Sequence, residues 1–155
     1  MRLDAADARR RFASVPVARL ATAGPDGRPH LVPFTFALGA AGNGKPGRGD
    51  RIYSAVDAKP KSSRDLRRLR NIKANPQVAV LADHYEDDWD SLWWVRADGR
   101  AVLLDEPAAM APALALLAER YPQYREQPPA GPVISIDVTR WTGWAATDCR
   151  PLIIS

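Results

Sequence analysis

The sequence has 155 residues and a mass of 17.0 kDa, which is the size of one ordinary domain. Its 46% hydrophobic and 26% charged residues are typical of globular proteins and exclude disordered and low-complexity classes. The single cysteine excludes an internal disulfide framework and a cysteine-rich zinc site, and no stretch reaches the roughly 18 apolar residues of a membrane-spanning helix. The net charge of +4 is concentrated between Lys59 and Lys73, which favours an anionic ligand. We therefore predict one soluble, cytoplasmic domain over residues 1–155.

The N-terminal segment predicts a short helix followed by a β-hairpin. Asp4 is a good N-cap for a helix that ends at Phe12. The β-rich segment 15–23 leads into a Gly-Pro-Asp-Gly turn, and segment 28–38 is predicted to return as the second strand. Pro33 cannot donate a ladder hydrogen bond, so it predicts an edge or a bulge in the sheet.

The central segment predicts a loop, a short strand and a second helix. Residues 39–50 are rich in glycine and are predicted to form the loop, and residues 51–56 form the strand. The helix is predicted to start at an N-cap on Ser62 or Ser63 and to end at Asn75, which precedes a proline. Its buried face is predicted to contain Leu66, Leu69 and Ile72.

The C-terminal half predicts several strands, one helix and one irregular segment rich in proline. The predicted strands are 77–83, two strands that flank a turn at 97–99 within 91–104, 133–139 and 140–147. The helix is predicted over 107–121 and the irregular segment over 122–132. The whole pattern lacks alternating strands and helices, which argues against a parallel sheet. It favours a mainly β (α+β) fold, in which a small antiparallel barrel carries peripheral helices.

Most motifs that would indicate self-contained chemistry are missing or explained otherwise. The glycine-rich run 42–47 has the letters of a dinucleotide fingerprint but precedes a strand instead of opening a helix. His30 and His84 lack a metal-binding spacing, and the acidic stretch 83–90 is typical of a solvated loop, so we predict no metal. Cys149 is interpreted as a structural thiol. No catalytic residue is identified, and any enzymatic chemistry would depend on a cofactor.

The tryptophans and the basic segment each admit more than one interpretation. The five tryptophans suit either a core and a dimer interface or, for Trp144, a wall against a planar ring system. The basic segment between Lys59 and Lys73 suits a solvated helix face, a nucleic-acid surface or a phosphate site. It contains no aromatic residue and the rest of the chain is net negative, which argues against nucleic acid.

The order of these motifs resembles that of the pyridoxamine-phosphate-oxidase-like superfamily of flavin- and deazaflavin-binding proteins. The resemblance spans about residues 8–147 and is carried by three segments. They are ARLATAGPDGRPHLVPF, IYSAVDAKPKSSRDLRRLRNIKANPQVAVLAD and WVRADGRA. The KPKSSRDLRRLRNI and RWTGWAA segments resemble the actinobacterial group that uses the deazaflavin coenzyme F-420.

This resemblance implies a split β-barrel of the FMN-binding-protein type and a homodimer with one cofactor in each of two interfacial clefts. It implies ring contacts from the first hairpin, passage of the cofactor along the next strand, a phosphate site after that strand, and an approach to the cleft by the C-terminal strand. The corresponding residues are Leu31, Val32, Pro33 and Phe34, then Tyr53, Ser54, Ala55 and Val56, then Lys59 and Lys61 with Arg64 or Asn71, and finally Trp144.

The function implied is hydride transfer from reduced coenzyme F-420 to an unsaturated small organic substrate. The alternatives are an FMN-dependent reductase or oxidase of the same fold and a non-catalytic flavin- or deazaflavin-binding protein. Vitamin B6 oxidation is disfavoured because Lys-Pro-Lys stands where the true oxidases have an Arg-Lys pair. Neither nucleic acid nor a membrane is expected as a partner.

Overall fold

The computed structural model describes residues 1–39, 49–57 and 66–147. It contains seven strands, four α-helices and one 3-10 helix within those ranges. The helices are α1 (Ala5–Ser14), α2 (Arg67–Ala74), α3 (Pro107–Arg120) and α4 (Pro122–Glu126), with the 3-10 helix at Trp89–Ser91. The strands are β1 (Ala18–Ala23), β2 (Pro29–Phe34), β3 (Ala37–Gly39), β4 (Arg51–Ala55), β5 (Gln77–His84), β6 (Trp93–Leu104) and β7 (Val133–Ala145).

All seven strands form one antiparallel sheet in the order β2-β1-β5-β6-β7-β4-β3. The two edge strands, β2 and β3, are joined by only Thr35 and Phe36. Because so short a connection spans at most about 10 Å, the two edges of the sheet must meet at this point. The sheet therefore curls into a split β-barrel, and the predicted fold class is confirmed.

The barrel core is filled from the sheet and closed at one end by α1. Asp4 caps α1 by accepting a hydrogen bond from the Asp7 amide at 2.8 Å, as the sequence predicts. The helix inserts Phe12, which is fully buried, between the rings of Phe36 and Trp141 at centroid distances of 4.6 and 5.2 Å. Edge-to-face and tilted aromatic contacts of this kind add to the burial energy.

A second apolar cluster holds α3 against the outside of β3, β4 and β7. Met110, Ala113 and Leu117 are its buried helix residues. The hydroxyl of Tyr121, directly after α3, accepts from the Phe36 amide at 3.0 Å and lies 2.8 Å from the Pro16 carbonyl. Arg120 lies over the Phe36 ring at 4.5 Å and donates to the Val15 carbonyl. This end of α3 is thereby fixed at the point where the sheet edges meet.

Several predicted elements are confirmed. The hairpin of β1 and β2 is present, and its turn is closed by the Gly27 amide, which donates to the Gly24 carbonyl at 3.0 Å. Pro33 lies on an edge strand, as predicted. The buried face of α2 contains Leu69 and Ile72, with Leu66 half-buried before them.

Four predictions of local structure are wrong. The segment 91–104 forms one long strand instead of two, and the segments 133–139 and 140–147 are likewise one strand. The segment 122–132 contains α4, because Pro122 occupies the first helical turn, where a missing amide proton costs nothing. The second helix starts at Arg67, so its N-cap is Leu66 and not Ser62 or Ser63, which lie outside the described residues.

The Asp98-Gly99 pair marks a bulge, where the register between β6 and β7 shifts, and not a hairpin turn. A Cβ at Gly99 would lie 2.5 Å from the Asp137 carbonyl oxygen and 2.8 Å from Cγ2 of Ile136. Glycine is therefore required by close packing against β7.

Gly99→Ala is expected to lower the free energy of unfolding by about 1–3 kcal/mol, since the new methyl group displaces the β7 backbone. Denaturant-induced unfolding measures the effect. The exposed neighbour Arg100→Ala is the control, with a change within about 0.5 kcal/mol. Equal stability of Gly99→Ala and the wild type would contradict this packing.

Candidate cofactor cleft

A cleft of about 450 Å³ opens where the two edges of the sheet meet. One wall consists of Pro33 and Phe34 at the end of β2 with Thr35 after them. The facing wall consists of the end of β4 and the two residues that follow it. The cleft is completed by Val17, Leu66, Arg68 and Tyr124. Cleft residues thus come from five separate segments of the chain, and the closure of the barrel brings them together.

The cleft combines apolar walls with a small number of polar groups. Its apolar residues are Val17, Pro33, Phe34, Ala55, Val56 and Leu66, and its polar residues are Thr35, Ser54, Asp57, Arg68 and Tyr124. Such a combination is typical of small-molecule sites, in which apolar surface supplies affinity and a few polar groups fix orientation.

Arg68 is the cationic group of the cleft. It is half-buried on the first turn of α2, and burial lowers the pKa of its guanidinium, while the nearby Asp57 carboxylate opposes that effect. Among the described residues Arg68 forms no ion pair. A half-buried guanidinium that forms no ion pair with a described carboxylate is well suited to bind a phosphate with two hydrogen bonds.

Tyr124 connects two other polar residues of the cleft, Asp57 and Thr35. Its hydroxyl donates to Oδ1 of Asp57 at 2.8 Å and lies 2.9 Å from Oγ1 of Thr35. Burial is the main cause that raises the pKa of this phenol, and the adjacent Asp57 raises it further. The ring packs edge-to-face on Tyr121 at 5.6 Å, which fixes it relative to the barrel.

Five of the predicted site residues line the cleft. They are Pro33, Phe34, Ser54, Ala55 and Val56. Lys59, Lys61 and Arg64 lie outside the described residues, so their contact with a phosphate stays a prediction.

The remaining five predicted site residues do not line the cleft of this chain. Leu31 is 66% exposed on the outer face of β2, and Val32 packs against the barrel core. Tyr53 packs in the α3 cluster. Asn71 is buried and donates to Oγ1 of Thr22 at 3.0 Å, so its amide serves the interior of the protein. Trp144 is 36% exposed on the outer face of β7.

Sequence reasoning missed the roles of Thr35, Asp57, Arg68 and Tyr124 in the cleft. Tyr124 lies in the segment that was predicted to be irregular, and only Pro122 at a helix start signals α4. Arg68 is predicted only as part of the basic segment. The sequence does not show which of several neighbouring arginines on one short helix faces the cleft.

The structure also bears on metal and membrane binding. Within residues 1–39, 49–57 and 66–147, no three His, Cys, Asp or Glu side chains are grouped so that they could hold a metal ion. His84 instead pairs with Glu86 at 2.8 Å, and Asp88 caps the 3-10 helix. No described helix has the length and apolar character needed to cross a membrane.

A family profile decides the relationship of the chain to known proteins. The profile described as Pyridoxamine 5'-phosphate oxidase matches residues 5–145, nearly the whole chain. The chain belongs to this pyridoxamine 5'-phosphate oxidase family. The superfamily that the sequence resembles is thus confirmed, and the cleft lies within the matched region. No curated protein matches the chain significantly.

Solved structures share the fold of this family member at low sequence identity. A conserved hypothetical protein of Mycobacterium tuberculosis is 22% identical with a TM-score of 0.67, over 93% of this chain and 86% of that one. A FAD-binding protein of Mesorhizobium loti is 21% identical with a TM-score of 0.63, over 92% and 93%. The heme storage protein HutZ of Vibrio cholerae is 17% identical with a TM-score of 0.60, over 90% and 91%. At these identities the likeness concerns the fold alone.

The cleft fits the group that this family is expected to bind. A flavin or a deazaflavin combines a planar ring with a ribityl chain and a phosphate. The apolar walls suit the ring, the hydroxyls of Thr35 and Ser54 suit the ribityl chain, and the guanidinium of Arg68 suits the phosphate.

Proposed function

We propose that this protein is an oxidoreductase that uses a phosphate-bearing flavin or deazaflavin to reduce an unsaturated small organic substrate. The observation that carries the proposal is Arg68, a half-buried cation without an ion-pair partner among the described residues, at an apolar cleft of about 450 Å³. Membership of the pyridoxamine 5'-phosphate oxidase family supports it.

Different residues of the cleft would bind different parts of the cofactor. Arg68 would hold the phosphate together with Lys59 and Lys61, which follow β4 in the sequence. Phe34 and Val56 would pack against the ring and exclude water from it. When bound, the reduced cofactor supplies the hydride, and the protein contributes orientation and a dry cleft.

Coenzyme F-420 is the cofactor that we favour. Its tail continues beyond the phosphate and carries additional carboxylates, which require positive charge outside the cleft. Arg67, directly before Arg68 on α2, is exposed and supplies such charge, whereas Arg70 and Lys73 line a second pocket on another side of the helix. The alternative is FMN or FAD, which the FAD-binding relative of Mesorhizobium loti supports.

Titration of the purified protein with four compounds tests the proposal. FMN is compared with riboflavin, which lacks only the phosphate, and coenzyme F-420 with its deazaflavin chromophore, which lacks the phosphate and the tail. Fluorescence measures all four affinities. We expect FMN to bind at least tenfold more tightly than riboflavin, and coenzyme F-420 at least tenfold more tightly than its chromophore. Coenzyme F-420 is expected to bind more tightly than FMN. Equal affinity with and without the phosphate would contradict the proposal, and tighter binding of FMN would reverse the choice of cofactor.

Storage of heme, the function named for the Vibrio cholerae relative, has less support from the residues of this cleft. The chain has two histidines, and neither lines the cleft. His30 lies on β2 and His84 at the end of β5, where it pairs with Glu86.

We also propose a homodimer, supported by apolar side chains on the outer face of the sheet. Leu31, Leu81 and Trp144 are 66, 38 and 36% exposed. The strand register places all three side chains on one face of the sheet. Leu31 pairs with Ala21, and Ala21 pairs with Ala79, which is two residues before Leu81. Trp144 pairs with Trp94, and Trp94 pairs with Asp83, which is two residues after Leu81. An outer face that exposes these apolar side chains beside the Arg19–Asp83 ion pair suits a symmetric interface, in which Trp144 would approach the cleft of the partner.

Light scattering is expected to give twice the chain mass of 17.0 kDa at micromolar concentration. Leu31→Glu is expected to shift the protein towards the monomer, because it replaces an apolar contact of the proposed interface with a charge. Ala108→Glu on the exposed side of α3 is the control, with the dimer retained. A wild-type mass of 17.0 kDa would contradict the dimer.

A further inference from the structure

Asp57 and Arg68 carry opposite charges in the same cleft, yet they do not form an ion pair. They are close enough for the Asp57 carboxylate to raise the pKa of the Arg68 guanidinium against the larger, opposite effect of burial. A carboxylate that reached the guanidinium would form two charge-assisted hydrogen bonds and occupy the donors that a phosphate needs. Asp57 is therefore a potential internal competitor for any anionic ligand of Arg68.

Asp57 is held by a different partner. The hydroxyl of Tyr124 donates to Oδ1 of Asp57 at 2.8 Å, and Oγ1 of Thr35 lies 2.9 Å from the same hydroxyl. Tyr124 itself is fixed by α4 and by its edge-to-face contact with Tyr121 at 5.6 Å. The phenol is thus an anchored donor to the Asp57 carboxylate, which forms no ion pair with Arg68 of the same cleft.

We propose that Tyr124 is a positioning residue that holds Asp57 away from Arg68 and so keeps the guanidinium available for the phosphate of the cofactor. The inference rests on the proposed function, because it takes the anion at Arg68 to be the phosphate of a flavin or deazaflavin. The affinity for the phosphate would then depend on Tyr124, which acts on Arg68 through Asp57.

Tyr124→Phe is expected to lower the affinity for FMN about 5- to 10-fold and to leave the affinity for riboflavin unchanged. Without the phenol, Asp57 pairs with Arg68 in a large share of the molecules, and the apparent affinity falls in proportion to the competent fraction. FMN and riboflavin differ only in the phosphate, so the ratio of their dissociation constants isolates this effect. Flavin fluorescence quenching measures both constants.

A double-variant cycle separates this role from a structural one. Asp57→Asn removes the competing charge, so Tyr124→Phe is expected to have no effect on the FMN-to-riboflavin ratio in the Asp57→Asn background. Tyr85→Phe, at a tyrosine that is 63% exposed, is the matched control and is expected to leave the ratio at its wild-type value. A merely structural loss would lower both affinities together and would persist in the Asp57→Asn background.

The outcomes distinguish the two proposals. If wild-type protein prefers FMN to riboflavin but Tyr124→Phe leaves that preference unchanged, or if Asp57→Asn fails to restore it, the positioning role is overturned and the proposed function stands. If wild-type protein shows no preference for FMN over riboflavin and none for coenzyme F-420 over its chromophore, the phosphate site is absent and both proposals are overturned.

Discussion

Arg68→Gln is expected to lower the affinity for FMN about 10- to 100-fold while riboflavin affinity stays within about twofold. A hydrogen bond to a charged group contributes about 1.5–3 kcal/mol, and each 1.4 kcal/mol is a tenfold change in affinity. Folding stability is expected to hold, because among the described residues the half-buried guanidinium has no ion-pair partner that the substitution would strand.

Arg67→Gln is the matched control for this measurement, since Arg67 precedes Arg68 on α2, is exposed and does not line the cleft. We expect its FMN affinity to stay within about threefold of the wild type, because an exposed charge near the site is screened by solvent. Equal losses for Arg67→Gln and Arg68→Gln would show that FMN responds to overall charge and not to the cleft.

Phe12→Ala is expected to lower the free energy of unfolding by about 3–5 kcal/mol, the range for large-to-small changes at buried aromatic residues. Phe12 is fully buried between Phe36 and Trp141, so its removal leaves a cavity under α1. Denaturant-induced unfolding measures the loss, and the variant is expected to unfold at a lower denaturant concentration than the wild type.

Ser14→Ala, at an exposed position of the same helix, is the control for Phe12→Ala and is expected to change stability by less than about 0.5 kcal/mol. A Phe12→Ala loss as small as that of the control would contradict the aromatic core at this end of the barrel.

Local signals in the sequence were sufficient for much of the fold. The Asp4 cap and the Gly-Pro-Asp-Gly turn each depend on neighbours within a few positions, and both predictions are confirmed. The Asp98-Gly99 pair was misread because a turn and a bulge use the same residue types. Only the approach of the β7 backbone to Gly99 distinguishes them, and that contact joins residues far apart in the sequence.

In the cleft, too, local signals could be predicted and contacts between distant residues could not. Pro33, Phe34 and the end of β4 could be assigned from the motif order, whereas Tyr124 enters through a contact with Asp57 that spans 67 residues. In the sequence, a polar residue such as Asn71, on a helix next to a basic segment, looks the same whether it serves a ligand or the interior. Its amide satisfies Thr22 in the interior, which only the packing of α2 on β1 reveals.

A crystal structure of the protein with coenzyme F-420 or FMN, whichever binds more tightly, tests the central claim most directly. The account predicts that a phosphate oxygen lies about 2.7–3.0 Å from a guanidinium nitrogen of Arg68 and that the ring lies against Phe34 and Val56. A cofactor bound elsewhere, or a phosphate that makes no contact with Arg68, would contradict it.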